Sequence, residues 1–322
     1  MGARTSRHGP RSGALAALAT LLGLLLAACG GGNSWSSSAT STGGSAVLPG
    51  LGKPPLTLGT KAFVEEDILG ELYKQTLEAK GYTVNYKPNI GATEVIDKAL
   101  TSGQIDAYPE YTGESVATVA RLSTIVSTAP REYNLAAAFY AKRGQAVSSM
   151  TPFSDTDAIV VSNAFAKRHR LTMIADLKKL RHFTLGAESA FLSRQEGAAG
   201  MRSKYGLTNF TLKPLALGLQ YQALDVGDIA AADAFTTDPQ LASGKYRLLT
   251  DPKNIFGFQN IIVVIDKSKL AQLGGQTFMN LIDKVNALLT TPAMTAMNKA
   301  VAVDKQSPGA VARAFLKANG VI

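Results

Sequence analysis

The chain has 322 residues, with 33 Lys and Arg against 24 Asp and Glu and a single Cys. Apolar residues make up 46% and charged residues 18%, which excludes wholesale disorder, and the length allows about two domains. One Cys excludes an intrachain disulfide framework and any Cys-built zinc or iron–sulfur site. No run of about 20 apolar residues is present to make a polytopic membrane protein.

Residues 1–13 carry Arg4, Arg7 and Arg11 and no acid, and an apolar run follows from Ala14 to Ala28. The run is short for a membrane span but has the length of a signal-peptide core. It closes on Leu26-Ala27-Ala28-Cys29, which resembles the lipobox of bacterial lipoproteins. That resemblance implies cleavage after residue 28 and a diacylglycerol on the Cys29 thiol; a plain secretory signal with an incidental Cys29 is the alternative. Without residues 1–28 the chain keeps 30 basic and 24 acidic residues. In residues 29–53, Cys29 is followed by Gly30-Gly31-Gly32-Asn33-Ser34, and the chain stays small and polar to about Gly52. Such a composition cannot offset its ordering entropy, so a flexible tether is expected. The only Trp, Trp35, lies there, so an aromatic site in the folded part must use Tyr or Phe.

From Leu56 the pattern alternates. Strands are predicted over 56–60, 83–86 and 105–111, with helices over 68–80, stopped by Gly81, and 93–100. The alternation returns as strands over 183–186, 210–213 and 229–235, with helices over 195–205 and 217–224. Residues 158–161 and 261–265 are further apolar strands, and helices are predicted over 279–289, 293–301 and 309–318. This order predicts an α/β architecture with largely parallel sheets.

One repeat is informative. Residues 99–107 match residues 223–231 as A-L-x-x-G-x-I-x-A, at a constant offset that carries on to pair Tyr111-Thr112 with Phe235-Thr236 and Glu114 with Asp238. A looser echo pairs the segment 58–63 with 185–191. Two matches in the same order predict two similar lobes. Ligands of open α/β sheets bind beyond the carboxyl ends of the strands, where Tyr111 and Phe235 stand, one per lobe.

The segment Asp106-Ala107-Tyr108-Pro109-Glu110-Tyr111-Thr112-Gly113 resembles a motif of substrate-binding proteins that serve glycine betaine/choline-type ABC importers. Gly59-Thr60-Lys61, Ser193-Arg194 and Phe235-Thr236-Thr237-Asp238 resemble further segments of that family in the right order. The resemblance spans roughly 55–322. It implies a two-lobed type II periplasmic-binding-protein fold with two interlobe crossings, near Pro152–Asp155 and Phe256–Asn260. Lobe one is then expected over 54–153 plus 260–322, and lobe two over 154–259. Relatives enclose a quaternary ammonium in an aromatic cage, where cation–π attraction operates, and hold the ligand's carboxylate with basic groups. By similarity Tyr111, Phe235 and Phe258 take cage positions, Arg194 the arginine position and Lys61 the lysine position. Two residues depart from the pattern: Asp157 stands where a Tyr is expected, and Glu114 where a small hydroxyl residue is usual. Each puts a carboxylate at the expected ligand.

Other chemistries have less support. His169 and His182 sit among basic residues with no metal-ligand neighbour at suitable spacing, and no P-loop, G-x-S-x-G or dinucleotide fingerprint is present. The basic clusters at 167–170 and 178–181 suit a solvated helix face better than nucleic acid. An enzyme on the same fold, of the porphobilinogen-deaminase kind, needs a cofactor-holding Cys that the folded part lacks. The expectation is therefore a monomeric, cofactor-free, extracytoplasmic binding protein, anchored to the membrane by lipidated Cys29. It would deliver a small quaternary ammonium or betaine-type solute to an ABC permease and its ATPase. A receptor for another small polar molecule, or a solute-sensing domain, is the alternative.

Overall fold

The computed structural model describes residues 48–122, 126–189, 191, 196–216 and 218–322. Cys29, Trp35 and Arg194 lie outside the described residues.

Strand β1 (Leu56–Gly59) leads into α1 (Val64–Glu78), followed by β2 (Val84–Lys87), α2 (Thr93–Thr101) and β3 (Ala107–Tyr111). Helix α1 begins four residues before the predicted 68, because its first turn carries Glu65, Glu66 and Asp67 rather than apolar residues. Acids there complement the helix dipole but carry no hydrophobic period. A short α3 (Thr112–Glu114) runs into a wide turn at Ser115–Val119, and α4 (Ala129–Lys142) and β4 (Gln145–Val147) complete the first pass. The chain then crosses into β5 (Asp157–Ser162), α5 (Asn163–His169), β6 (Phe183–Ala187), α6 (Ala198–Tyr205), β7 (Phe210–Pro214), α7 (Gln220–Asp225), β8 (Ala231–Phe235) and β9 (Tyr246–Leu248). It returns through β10 (Ile261–Asp266) to α8 (Lys267–Leu273), α9 (Gln276–Leu288), α10 (Thr291–Ala302) and α11 (Pro308–Ala318). The hydroxyls of Thr290 and Ser307 accept from the backbone N–H groups of Ala293 and Ala310, capping the last two helices, and a Pro follows each cap as the pre-set first turn requires.

Among the described residues there are two five-stranded sheets, ordered β2-β1-β3-β10-β4 and β7-β6-β8-β5-β9. The expectation of largely parallel sheets needs correction. In each sheet the first three strands are parallel, and the last two pairings are antiparallel. The cause is the chain path: β5 and β10 arrive from the opposite sheet and enter running the other way. Each sheet carries an apolar core on both faces, one set around Leu56, Leu72 and Ile261 and around Tyr108 and Ile262, the other around Ile159 and Leu185 and around Val160 and Tyr221.

The repeat is reproduced atom for atom. The carbonyl of Ala99 accepts from the N–H groups of Gln104 and Ile105, and the carbonyl of Ala223 from those of Asp228 and Ile229. Gly103 and Gly227 turn the chain at φ 74° and 75°. Beyond the strands, Thr112 donates its hydroxyl to the carbonyl of Phe258 and accepts from the N–H of Asn260, while Thr236 does the same with Ser154 and Thr156. Each threonine thus clamps one of the two crossings, which meet at a bridge between Ser154 and Asn260.

Candidate functional site

Lys61 follows the end of β1 and points inward. It is 4% exposed, and its ammonium bonds Glu110 of β3, with Glu66 of α1 at 3.8 Å. Burial alone would lower the Lys61 pKa, but the attraction of Glu110 and then Glu66 outweighs it and holds the value raised. The same ammonium lies 4.4 Å from the centroid of the Tyr111 ring, a cation–π contact made within the protein. Phe63 stacks on that ring at 6.1 Å, and the Tyr111 hydroxyl donates to Glu65 at 2.9 Å. Tyr111 is 5% exposed.

In the second sheet, Phe235 ends β8 directly opposite Asp157 of β5, so the two side chains share a face. Asp233, two residues before Phe235, hydrogen-bonds Asp157, and its pKa is pushed up to about 9 by burial and then by the charge of Asp157. At neutral pH Asp233 therefore keeps its proton and can donate to Asp157.

Between the sheets lies a cavity of about 240 Å³, walled by Gly113–Glu114 and Val116–Thr118 after β3, Glu132 of α4, Asp157 of β5, Glu196 before α6, and the crossing at 255–259. The Gln259 carboxamide accepts from the N–H of Glu114 at 3.1 Å, and a Cβ on Gly113 would stand 2.8 Å from that carboxamide. Gly257 turns the crossing with φ 66°, a conformation that glycine alone adopts freely. Glu132 is 4% exposed, and burial followed by repulsion from Glu196 pushes its pKa up to about 7.

Of the residues expected at the ligand, Glu114, Asp157 and Phe258 line this cavity. Phe235 stands beside it as the cross-strand neighbour of Asp157. Lys61 and Tyr111 are instead drawn into the buried network with Glu110, Glu66 and Glu65, so Phe258 is the one ring of the expected three on the cavity wall. Arg194 lies outside the described residues. Sequence reasoning missed Phe63, Glu132, Glu196 and Gln259. A helix-start signature, Thr128-Ala129-Pro130 with an acid in the first turn, marks α4 and would have drawn attention to Glu132. Among the described residues, no group of three or more His, Cys, Asp or Glu is arranged to hold a metal ion, and no helix is long and apolar enough to cross a membrane.

Two α/β lobes of matching topology, two crossings clamped by matched threonines and a cavity walled from both lobes define a solute-binding protein of the type II periplasmic-binding-protein fold. The chain belongs to the family described as the substrate binding domain of ABC-type glycine betaine transport system, whose pattern matches residues 54–318. It is 28% identical over 279 residues to a glycine-betaine-binding protein of Pseudomonas aeruginosa, covering 83% of this chain and 88% of that one. It is 27% identical over 277 residues to an ergothioneine transport permease/ergothioneine binding protein of Helicobacter pylori, covering 83% of this chain; the chain spans about half (48%) of that relative's length. The crystal structure of a glycine betaine/carnitine/choline ABC transporter shares the fold, with a TM-score of 0.76 at 22% identity over 83% of this chain and 99% of that one.

Proposed function

We propose that this protein is the extracytoplasmic receptor of an ABC importer and that the cavity between its lobes takes a small betaine-type solute. The observation that carries the reading is the cavity itself: in a chain of this family, its wall is drawn from both lobes and from a crossing. A solute seated there touches both lobes and is enclosed when they approach, which excludes water and strengthens each polar contact. The protein binds and releases its solute without reaction and hands it to a permease and its ATPase. We place lobe one at 54–153 plus 260–322, lobe two at 154–259, and a cleaved leader at 1–28. The lipidated Cys29 and tether of 29–53 hold the receptor at the membrane, and Cys29→Ser is expected to release it from the membrane fraction. The test of the function is calorimetric titration of the purified protein with glycine betaine, carnitine and choline, combined with small-angle scattering. Binding of one of them with compaction of the particle supports the reading. Binding without compaction at saturation overturns lobe closure, and binding of none overturns the solute class.

A further inference from the structure

The charged side chains on the cavity wall are all carboxylates: Glu114, Glu132, Asp157 and Glu196, with no Lys or Arg among the described lining residues. Their hydrogen-bonding states differ. Glu114 accepts from the Thr118 hydroxyl at 2.7 Å, and Asp157 is bonded by Asp233. Glu132 is 4% exposed, yet no hydrogen-bond donor reaches its carboxyl among the described residues. A carboxylate on the cavity wall with no protein donor among the described residues is left to water or to the solute, and the neighbouring Glu196 charge adds repulsion. Among the described residues, the wall therefore presents an acidic subsite that a hydrogen-bond donor with positive charge would complete. A trimethylammonium supplies the charge and no N–H; a protonated amine, guanidinium or imidazolium supplies both, and a charge-assisted bond is about twice as strong as a neutral one.

Resting on the receptor reading above, we propose that Glu132 anchors an N–H-bearing cationic group of the solute, so that this cavity prefers such a cation over its fully methylated counterpart. The solute's own carboxylate, where it has one, faces away from this wall.

The test compares three pairs that differ by one methyl for one proton: dimethylglycine with glycine betaine, dimethylethanolamine with choline, and norcarnitine with carnitine. Each is titrated calorimetrically at pH 8 against the wild-type protein, Glu132→Gln, and the exposed control Glu94→Gln. We expect the N–H member of the best-binding pair to bind about tenfold tighter in the wild type and the control. Glu132→Gln should bring the two members to within about threefold, with a melting temperature no lower than that of the wild type as the folding check. Equal or tighter binding of the methylated members overturns this proposal and leaves the betaine-type reading standing. An N–H preference that survives Glu132→Gln overturns Glu132 as the anchor. Binding by none of the six overturns both readings.

Discussion

A lysine with two glutamates, all at 4% exposure or less, would hold two negative charges against one positive if every group were ionised. In a low-dielectric interior that excess is costly. The network resolves it with a proton: Glu66 is pushed up to about 8 by burial, against the pull of Lys61 and with repulsion from Glu110. An unfolded Glu loses its proton near pH 4.3 (roughly), so between there and about pH 8 folded Glu66 keeps a proton that the unfolded chain has released. Its contribution to stability is therefore full at low pH and declines as pH rises through that window, by roughly 1 kcal/mol per unit. The urea midpoint is expected to fall between pH 5 and pH 8, and Glu66→Gln should make that fall shallower by one group's share. A slope identical in variant and wild type would mean that folded Glu66 is ionised. At this scale the sequence was readable where a motif surrounds the residue. Glu114 and Asp157, marked as departures from a family pattern, do line the cavity. Glu132 and Glu196 were not readable, because an acid on a helix reads as solvated until the packing around it is known.

The elements were legible where apolar period or repeat gave them a signature. Both halves of the A-L-x-x-G-x-I-x-A repeat form the same helix end, turn and strand, and Gly59 and Gly186 meet the corresponding Ile105 and Ile229 side chains in the two lobes. Strand direction was less legible, because it depends on which sheet a strand has just left, and the three-residue edge strands β4 and β9 are too short to show a period. The two repeat glycines allow a clean test. Gly103 and Gly227 lie at φ 74° and 75°, and nothing stands within 4 Å of where a Cβ would be. Substitution to Ala then meets no steric clash, and its cost is that of holding an L-residue in the left-handed region, about 1 kcal/mol at each site. Urea unfolding should show similar losses for Gly103→Ala and Gly227→Ala, adding in the double variant because the sites lie in different lobes. A large loss at one and none at the other would mean that the turns are not equivalent.

The lobes are tied by a junction centred on Glu65, a residue that no repeat or motif announced. Glu65 of lobe one, 3% exposed, accepts from the Tyr111 hydroxyl, from the Asn298 carboxamide at 2.8 Å and from the Thr237 hydroxyl of lobe two at 2.7 Å. The Thr237 oxygen also lies 2.6 Å from Asp155 on the first crossing. A hydroxyl has one proton to donate, so it cannot serve both carboxylates, and one of them must return a proton to the threonine oxygen. Asp155 is the holder: burial, then the charge of Glu65, raises its pKa well above the usual carboxylate range. The junction thus depends on a neutral donor at position 155 rather than on a charge. Asp155→Asn keeps the donor to the Thr237 oxygen, but an amide nitrogen at that position cannot also accept the Thr237 N–H, so it should cost about 1 kcal/mol at pH 7, less than Asp155→Ala. Asp155→Ala strands the Thr237 N–H and removes the donor, and should cost about 1–3 kcal/mol. Thr237→Val leaves two buried carboxyls facing each other without a bridge and should cost at least as much as Asp155→Ala. Urea unfolding of the three variants decides it, since a loss for Asp155→Asn as large as that for Asp155→Ala would mean that Asp155 is ionised and that its charge holds the lobes together.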